Sequence, residues 1–125
     1  MSYKATRTYK GILIGTGGQG RAWCEKFLPP NIADGLLEIV ACADVNAAAH
    51  ENAQKFLGLS PEKCYTSTEQ AIAENPADFC IIVTPPAFHE TAVDAALKHN
   101  LHILSEKPIA DTLEASVRIA EKVKR

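Results

Sequence analysis

Residues 9–20, Tyr9-Lys10-Gly11-Ile12-Leu13-Ile14-Gly15-Thr16-Gly17-Gly18-Gln19-Gly20, decide the fold. An apolar run of strand length ends on a G-x-G-x-x-G hexapeptide that opens a helical segment. Such a hexapeptide alone carries little weight, but the strand–turn–helix setting is the one a dinucleotide-binding turn requires. Each glycine then has its own duty. Gly15 permits the tight turn, Gly17 lets the backbone approach a pyrophosphate, and Gly20 lets helix and strand pack closely. Backbone N–H groups from Gly18 and Gln19 onward face the anion, aided by the partial positive charge of a helix start. The candidate cofactor-binding loop is therefore Gly15, Thr16, Gly17, Gly18, Gln19 and Gly20.

A second signal lies 24 positions beyond Gly20, where another apolar run ends in Ala43-Asp44. An acid at about this distance accepts hydrogen bonds from the adenosine ribose in dinucleotide folds. A carboxylate there repels the 2'-phosphate of NADP, and Val45-Asn46-Ala47 supplies no arginine to bind it, so Asp44 favours NAD. Arg21 is the one cation that could approach from the other side and reverse that preference.

The rest of the chain repeats the alternation. Strand-length runs fall at 9–14, 36–43, 63–65, 79–83 and 102–104, and helices are predicted over 19–28, 47–57, 68–74, 88–99 and 112–122. This predicts βαβ units and a doubly wound parallel sheet, Rossmann-type α/β, with helices on both faces. Pro29-Pro30 is expected to stop the first helix, and Gly58 to cap the second in the left-handed conformation. Ser67 with Gln70, and Asp111 with Glu114, have the spacing of capping boxes. In the last helix Leu113, Val117 and Ala120 form an apolar stripe expected to lie on the sheet.

Composition narrows the function classes. At 125 residues, 46% apolar and 22% charged, the chain is an ordinary globular domain, taken here as one unit over residues 1–125. A net charge of -2 offers no basic surface for nucleic acid. The apolar runs are far shorter than the roughly 20 residues of a membrane helix, and Met1 to Lys10 carries no secretory pattern, so a cytoplasmic address and no membrane are expected. Cys24, Cys42, Cys64 and Cys80 are scattered without ligand spacing, which predicts buried reduced thiols and no metal site. His50, His99 and His102 are expected at the surface or at helix ends.

Two motifs follow the later strands. Thr84-Pro85-Pro86-Ala87-Phe88-His89 lies at the carboxyl edge where ligands of open parallel sheets bind, although prolines at a strand exit and a helix start also explain themselves. Ser105-Glu106-Lys107-Pro108 leaves the fifth run at the same edge. Taken alone, Lys107 reads as a solvated charge.

Together, the glycine loop, Ala43-Asp44, Thr84-Pro85-Pro86 with His89, and Glu106-Lys107-Pro108 resemble the glucose-fructose oxidoreductase and inositol dehydrogenase family, Gfo/Idh/MocA, in order and spacing. The resemblance covers nearly the whole chain, and the E-K-P tripeptide is its most diagnostic part. It implies that Lys107 is catalytic and contacts the reacting hydroxyl. It also implies that Thr84, Pro85, His89 and Glu106 line the cofactor near its ribose and nicotinamide, and that Pro108 follows a cis peptide bond. The implied reaction moves hydride between a hydroxyl-bearing carbon of a sugar, cyclitol or related polyol and the nicotinamide of NAD. In that family a histidine of a second, sheet-rich α+β domain takes the proton. That domain is expected to be missing from this chain, which leaves an isolated fragment inactive and confines homo-oligomer formation to the full-length protein. Two alternatives stand beside this reading: a non-catalytic dinucleotide-binding sensor or regulatory module, and an unrelated α/β interaction domain whose glycines serve turns only.

Overall fold

The computed structural model describes residues 7–107 and 110–124. Five strands, β1 (Tyr9–Ile14), β2 (Leu37–Ala43), β3 (Cys64–Tyr65), β4 (Phe79–Ile82) and β5 (His102–Ser105), form one sheet in the order β3-β2-β1-β4-β5, and every pairing is parallel. The chain winds outward from β1 in both directions. The gap between β1 and β4 is thus the switch point, outside whose carboxyl ends such sheets bind ligands.

Strand residues alternate between two cores. Ile12, Ile14, Ala41, Ala43, Cys80 and Ile82 face one, under α4 (Thr68–Glu74), α5 (His89–Lys98) and α6 (Leu113–Lys124). Leu13, Cys42, Ile81 and Val83 face the other, under the first helix and α3 (His50–Leu57). Burial on both sides explains why these strands read as unbroken apolar runs. Gly11 makes room in β1 for the ring of Phe79, which any Cβ there would strike.

The first helix departs from expectation. It begins as α1 (Gln19–Ala22), widens into a π-helical turn over Trp23–Phe27, and continues as α2 (Leu28–Ala33), so that Pro29-Pro30 lies within it. The π turn closes with the Leu28 N–H on the Trp23 carbonyl, and the prolines enter in the first turn of α2, where an absent N–H leaves no bond unmade. The actual stop is Gly35, at φ 73, with its N–H on the Ile32 carbonyl and the Leu36 N–H on the Asn31 carbonyl.

Gly58 does cap α3 at φ 71, and Ser67 Oγ accepts from the Gln70 N–H at 3.2 Å. Asp111 does not cap α6: Thr112 does, its Oγ1 accepting from the Ala115 N–H at 3.1 Å. Ala115 and Ile119 turn inward, and Leu113, Val117 and Ala120 are exposed, so the expected stripe faces solvent. Cys24, Cys42 and Cys80 are buried and Cys64 is half-buried, all four as free thiols. No helix among the described residues is long and apolar enough to cross a membrane.

Candidate functional site

The turn after β1 is held from below. Gly15, at φ 99, donates its N–H to the Ala43 carbonyl at 2.7 Å, and a Cβ there would meet the Val83 carbonyl carbon at 2.8 Å. A Cβ on Gly20 would drive into the Gly15 carbonyl, which fixes how closely α1 approaches the strand. Gly17 differs, since a Cβ there meets only the Ala49 Cβ at 3.4 Å and the Asp44 carboxylate at 3.9 Å, ordinary contacts. The protein's own packing does not require glycine at position 17.

Asp44, at the end of β2, anchors this turn. Its Oδ2 accepts from the N–H groups of Thr16 at 2.9 Å and Gly17 at 3.2 Å, and its Oδ1 from that of Asn46 at 2.9 Å. A carboxylate offers about four acceptor positions, so this one is oriented by three amides without being saturated. Thr16 is fully buried and donates its hydroxyl to the Ala49 carbonyl at 2.8 Å. Gly18 and Gln19 are exposed, and their amides carry no partner among the described residues.

Two side chains that sequence reading missed complete the support. Asn52 Nδ2 donates to the Thr16 carbonyl at 2.8 Å. His50, expected at the surface or at a helix end, is the first residue of α3; it is only 8% exposed, and its Nε2 lies 3.0 Å from the Asp44 carbonyl, which can only accept. Its burial has a physical reason: the turn of 3-10 helix Ala47–Ala49 leads directly into α3 and sets its first residue against the end of β2.

Across the sheet, Thr84 and Pro85 leave β4. Thr84 lines the cleft, and its buried Oγ1 has no hydrogen-bond partner among the described residues. His89, 1% exposed, directs Nε2 at the Thr84 carbonyl, 2.7 Å away, and Nδ1 at Ser105 Oγ, 3.2 Å away. The Glu106 amide donates to the Ile82 carbonyl at 2.9 Å, and its carboxylate accepts from the Trp23 indole N–H at 2.8 Å. Lys107 is exposed and makes no ion pair among the described residues. Pro108 lies outside the described residues.

These pieces enclose two adjoining clefts. One, of 520 Å³, runs from Asp44 and Val45 past Ser67 to Phe88 and Thr91. The other, of 300 Å³, holds Gly18, Gln19, Pro86, His89, Glu106 and Lys107. They share Gly17, Val83, Thr84 and Pro85, so the glycine turn and Lys107 border one continuous trough. Arg21 borders neither; it pairs with Glu25 at 3.5 Å and lies over the Phe56 ring. Among the described residues, no three His, Cys, Asp or Glu side chains converge as a metal site.

The chain matches the model of an oxidoreductase family, NAD-binding Rossmann fold, over residues 10–125. It belongs to the Gfo/Idh/MocA family. The chain is 57% identical over 118 residues to protein y4oX of Sinorhizobium fredii, covering 94% of itself and 33% of that protein. It is 34% identical over 110 residues to the inositol 2-dehydrogenase/D-chiro-inositol 3-dehydrogenase of Lacticaseibacillus casei, covering 88% of itself and 31% of that enzyme. Among solved structures, myo-inositol dehydrogenase from Lactobacillus casei, in complex with NAD(H) and myo-inositol, superposes with a TM-score of 0.76 at 30% identity over 94% of this chain and 34% of that one. The chain thus spans about a third of the length of these relatives. As a family member it is an NAD-binding Rossmann domain, and the reading as an unrelated interaction domain falls. Nothing in the fold or these relatives favours a non-catalytic sensor.

The trough fits a dinucleotide on its own terms. Among the described residues, the buried Thr84 hydroxyl and the Gly18 and Gln19 amides have no partner and no atom demands a glycine at 17, and all four residues border the same space. Each is explained by a polar ligand lying close against the turn.

Proposed function

We propose that this chain is the cofactor-binding part of an NAD-dependent dehydrogenase acting on a hydroxyl-bearing carbon of a polyol, cyclitol or sugar. The observation that carries the reading is the continuity of the trough from Asp44, past the glycine turn, to Lys107. The catalytic assignment of Lys107 and the cofactor contacts of Gly15 to Gly20, Asp44, Thr84, Pro85, His89 and Glu106 belong to this proposal.

Each residue has a derivable task. Gly18 and Gln19 offer amides to the pyrophosphate, and Gly17 keeps the turn low enough for it to approach. Asp44, oriented in advance by three amides, accepts from a ribose hydroxyl. A 2'-phosphate at that place meets a carboxylate, and Arg21 is held elsewhere by Glu25, which favours NAD over NADP. NAD, when bound, supplies the two-electron acceptor for the carbon–hydrogen bond of the alcohol.

Lys107 carries three donors and, among the described residues, no competing ion pair, so its ammonium can stabilise negative charge developing on the substrate oxygen. His89 holds the Thr84 carbonyl and Ser105, which keeps the two strand exits in register. We assign proton acceptance and the choice among polyols to the further length present in the relatives, of which this chain spans about a third.

Calorimetric titration tests the reading. NADH is expected to bind, NADPH to bind more weakly, and Asp44→Ala to weaken NADH by about 10- to 100-fold, the worth of hydrogen bonds to a charged group. Unchanged NADH affinity in Asp44→Ala removes that residue from the site, and no binding of either nucleotide overturns the proposal.

A further inference from the structure

The first helix and the loop bearing Lys107 are joined by one side-chain bond between residues 83 positions apart: Trp23 Nε1 donates to Glu106 Oε1 at 2.8 Å. Trp23 is the first residue of the π turn, immediately after α1, which itself begins at the glycine turn. π turns are rare, and they concentrate at functional sites because they re-aim side chains that a regular helix would place elsewhere. Here the ring is packed against the core between the first helix and α3, and stands edge-on to Phe27 with ring centres 5.4 Å apart. Its polar edge is thereby turned to the sheet end.

The Glu106 carboxylate has no other hydrogen bond or ion pair among the described residues, and neighbouring Lys107 is not its partner. A hydrogen bond to an ionised acceptor is about twice as strong as a neutral one, and strongly directional. One indole N–H therefore determines where this carboxylate sits. Both Glu106 and Lys107 border the cleft that also holds Gly18 and Gln19.

We propose that Trp23 is a positioning residue for the reactive end of the trough: its indole fixes the Glu106 carboxylate, and through it the short segment that presents Lys107. The inference rests on the dehydrogenase reading above and adds a residue to it. Trp23 does not itself border either cleft, so its effect is confined to the end of the cofactor nearest Glu106.

The test compares two nucleotides on Trp23→Phe, which keeps an aromatic ring against the core and Phe27 but deletes the donor. ADP reaches only Asp44 and the glycine turn, whereas NADH extends to Glu106 and Lys107. Trp23→Phe is expected to weaken NADH several-fold, with about tenfold as the ceiling set by the worth of the lost bond, and to leave ADP unchanged. Equal loss for both nucleotides, or loss for neither, overturns the positioning role while leaving the proposed function standing. No NADH binding by the unmodified chain overturns both.

Glu106→Gln examines the same bond from its other end, with Trp23 intact should Trp23→Phe fold poorly. As Trp23 is the single tryptophan of the chain, its indole proton gives one isolated resonance. That resonance is expected to move upfield in Glu106→Gln as the acceptor loses its charge. An unmoved resonance refutes the contact.

Discussion

Gly17 and Gly20 sit three residues apart in one turn and answer to different constraints. Gly20→Ala pushes a methyl group into the Gly15 carbonyl, so it is expected to destabilise the domain by about 1–3 kcal/mol, as overpacking does, read as a lower urea midpoint. Gly17→Ala meets no obstacle among the described residues, so its midpoint is expected to stay put; under the proposed cofactor reading the methyl crowds the pyrophosphate, and NADH affinity is expected to fall at least about tenfold. Equal stability losses in the two variants refute the distinction. At this scale the sequence was legible where chemistry dictates residue type at short spacing, as in the glycine turn and Asp44. It was silent on Trp23 and Asn52, because their partners lie 83 and 36 positions away, across folded contacts that leave no local pattern. Lys107 stood out only through the family resemblance, since a lone lysine after a strand is usually just solvated.

Among the elements, α5 and α6 are clasped by a cluster in which Glu90 accepts from Arg118 at 2.9 Å and Lys122 at 2.8 Å, with Lys122 also 2.8 Å from Asp94. The hydrogen bonds from Arg118 and Lys122 hold the Glu90 carboxyl down at about 2, from an ordinary 4.5. A depressed carboxyl stabilises the fold above its unfolded value and loses that contribution as pH falls from 4.5 toward 2. Thermal melts across this window are expected to fall less steeply for Glu90→Gln than for the unmodified chain; parallel curves exclude a role for the clasp. The element boundaries show what patterning can and cannot settle. Every expected strand is present within one residue at each end, because burial on two faces imposes unbroken apolar runs. The first helix was misjudged because proline was read as a stop, when a π turn ahead of it supplies a new helical start. α6 was misphased because apolar residues recur on two of its faces, Leu113, Val117 and Ala120 on one and Ala115 and Ile119 on the other, and only tertiary packing selects between them.

Over the whole molecule, the sheet separates two cores, and both hold buried thiols. Burial pushes the Cys24 and Cys80 thiols up to about 12, and that of Cys42 upward too, while half-buried Cys64 lies on the edge strand β3. A disulfide reagent at neutral pH is therefore expected to label Cys64 first and the other three only on unfolding; simultaneous labelling of all four in the native state contradicts this burial. Raised thiol values also mean that stability, intact below the ordinary value of 9.0, declines as pH rises beyond it. The order β3-β2-β1-β4-β5 has one more consequence. β1, the earliest of these five strands in the chain, becomes the middle of the sheet, and its partner on one side, β4, arrives only after two further strand–helix units, with Ile12 beside Cys80. On the ribosome, Ile12 to Ile14 must wait with an open edge until residues 79–82 emerge. Nascent chains halted before residue 79 are thus the species most exposed to chaperone capture and intermolecular strand pairing.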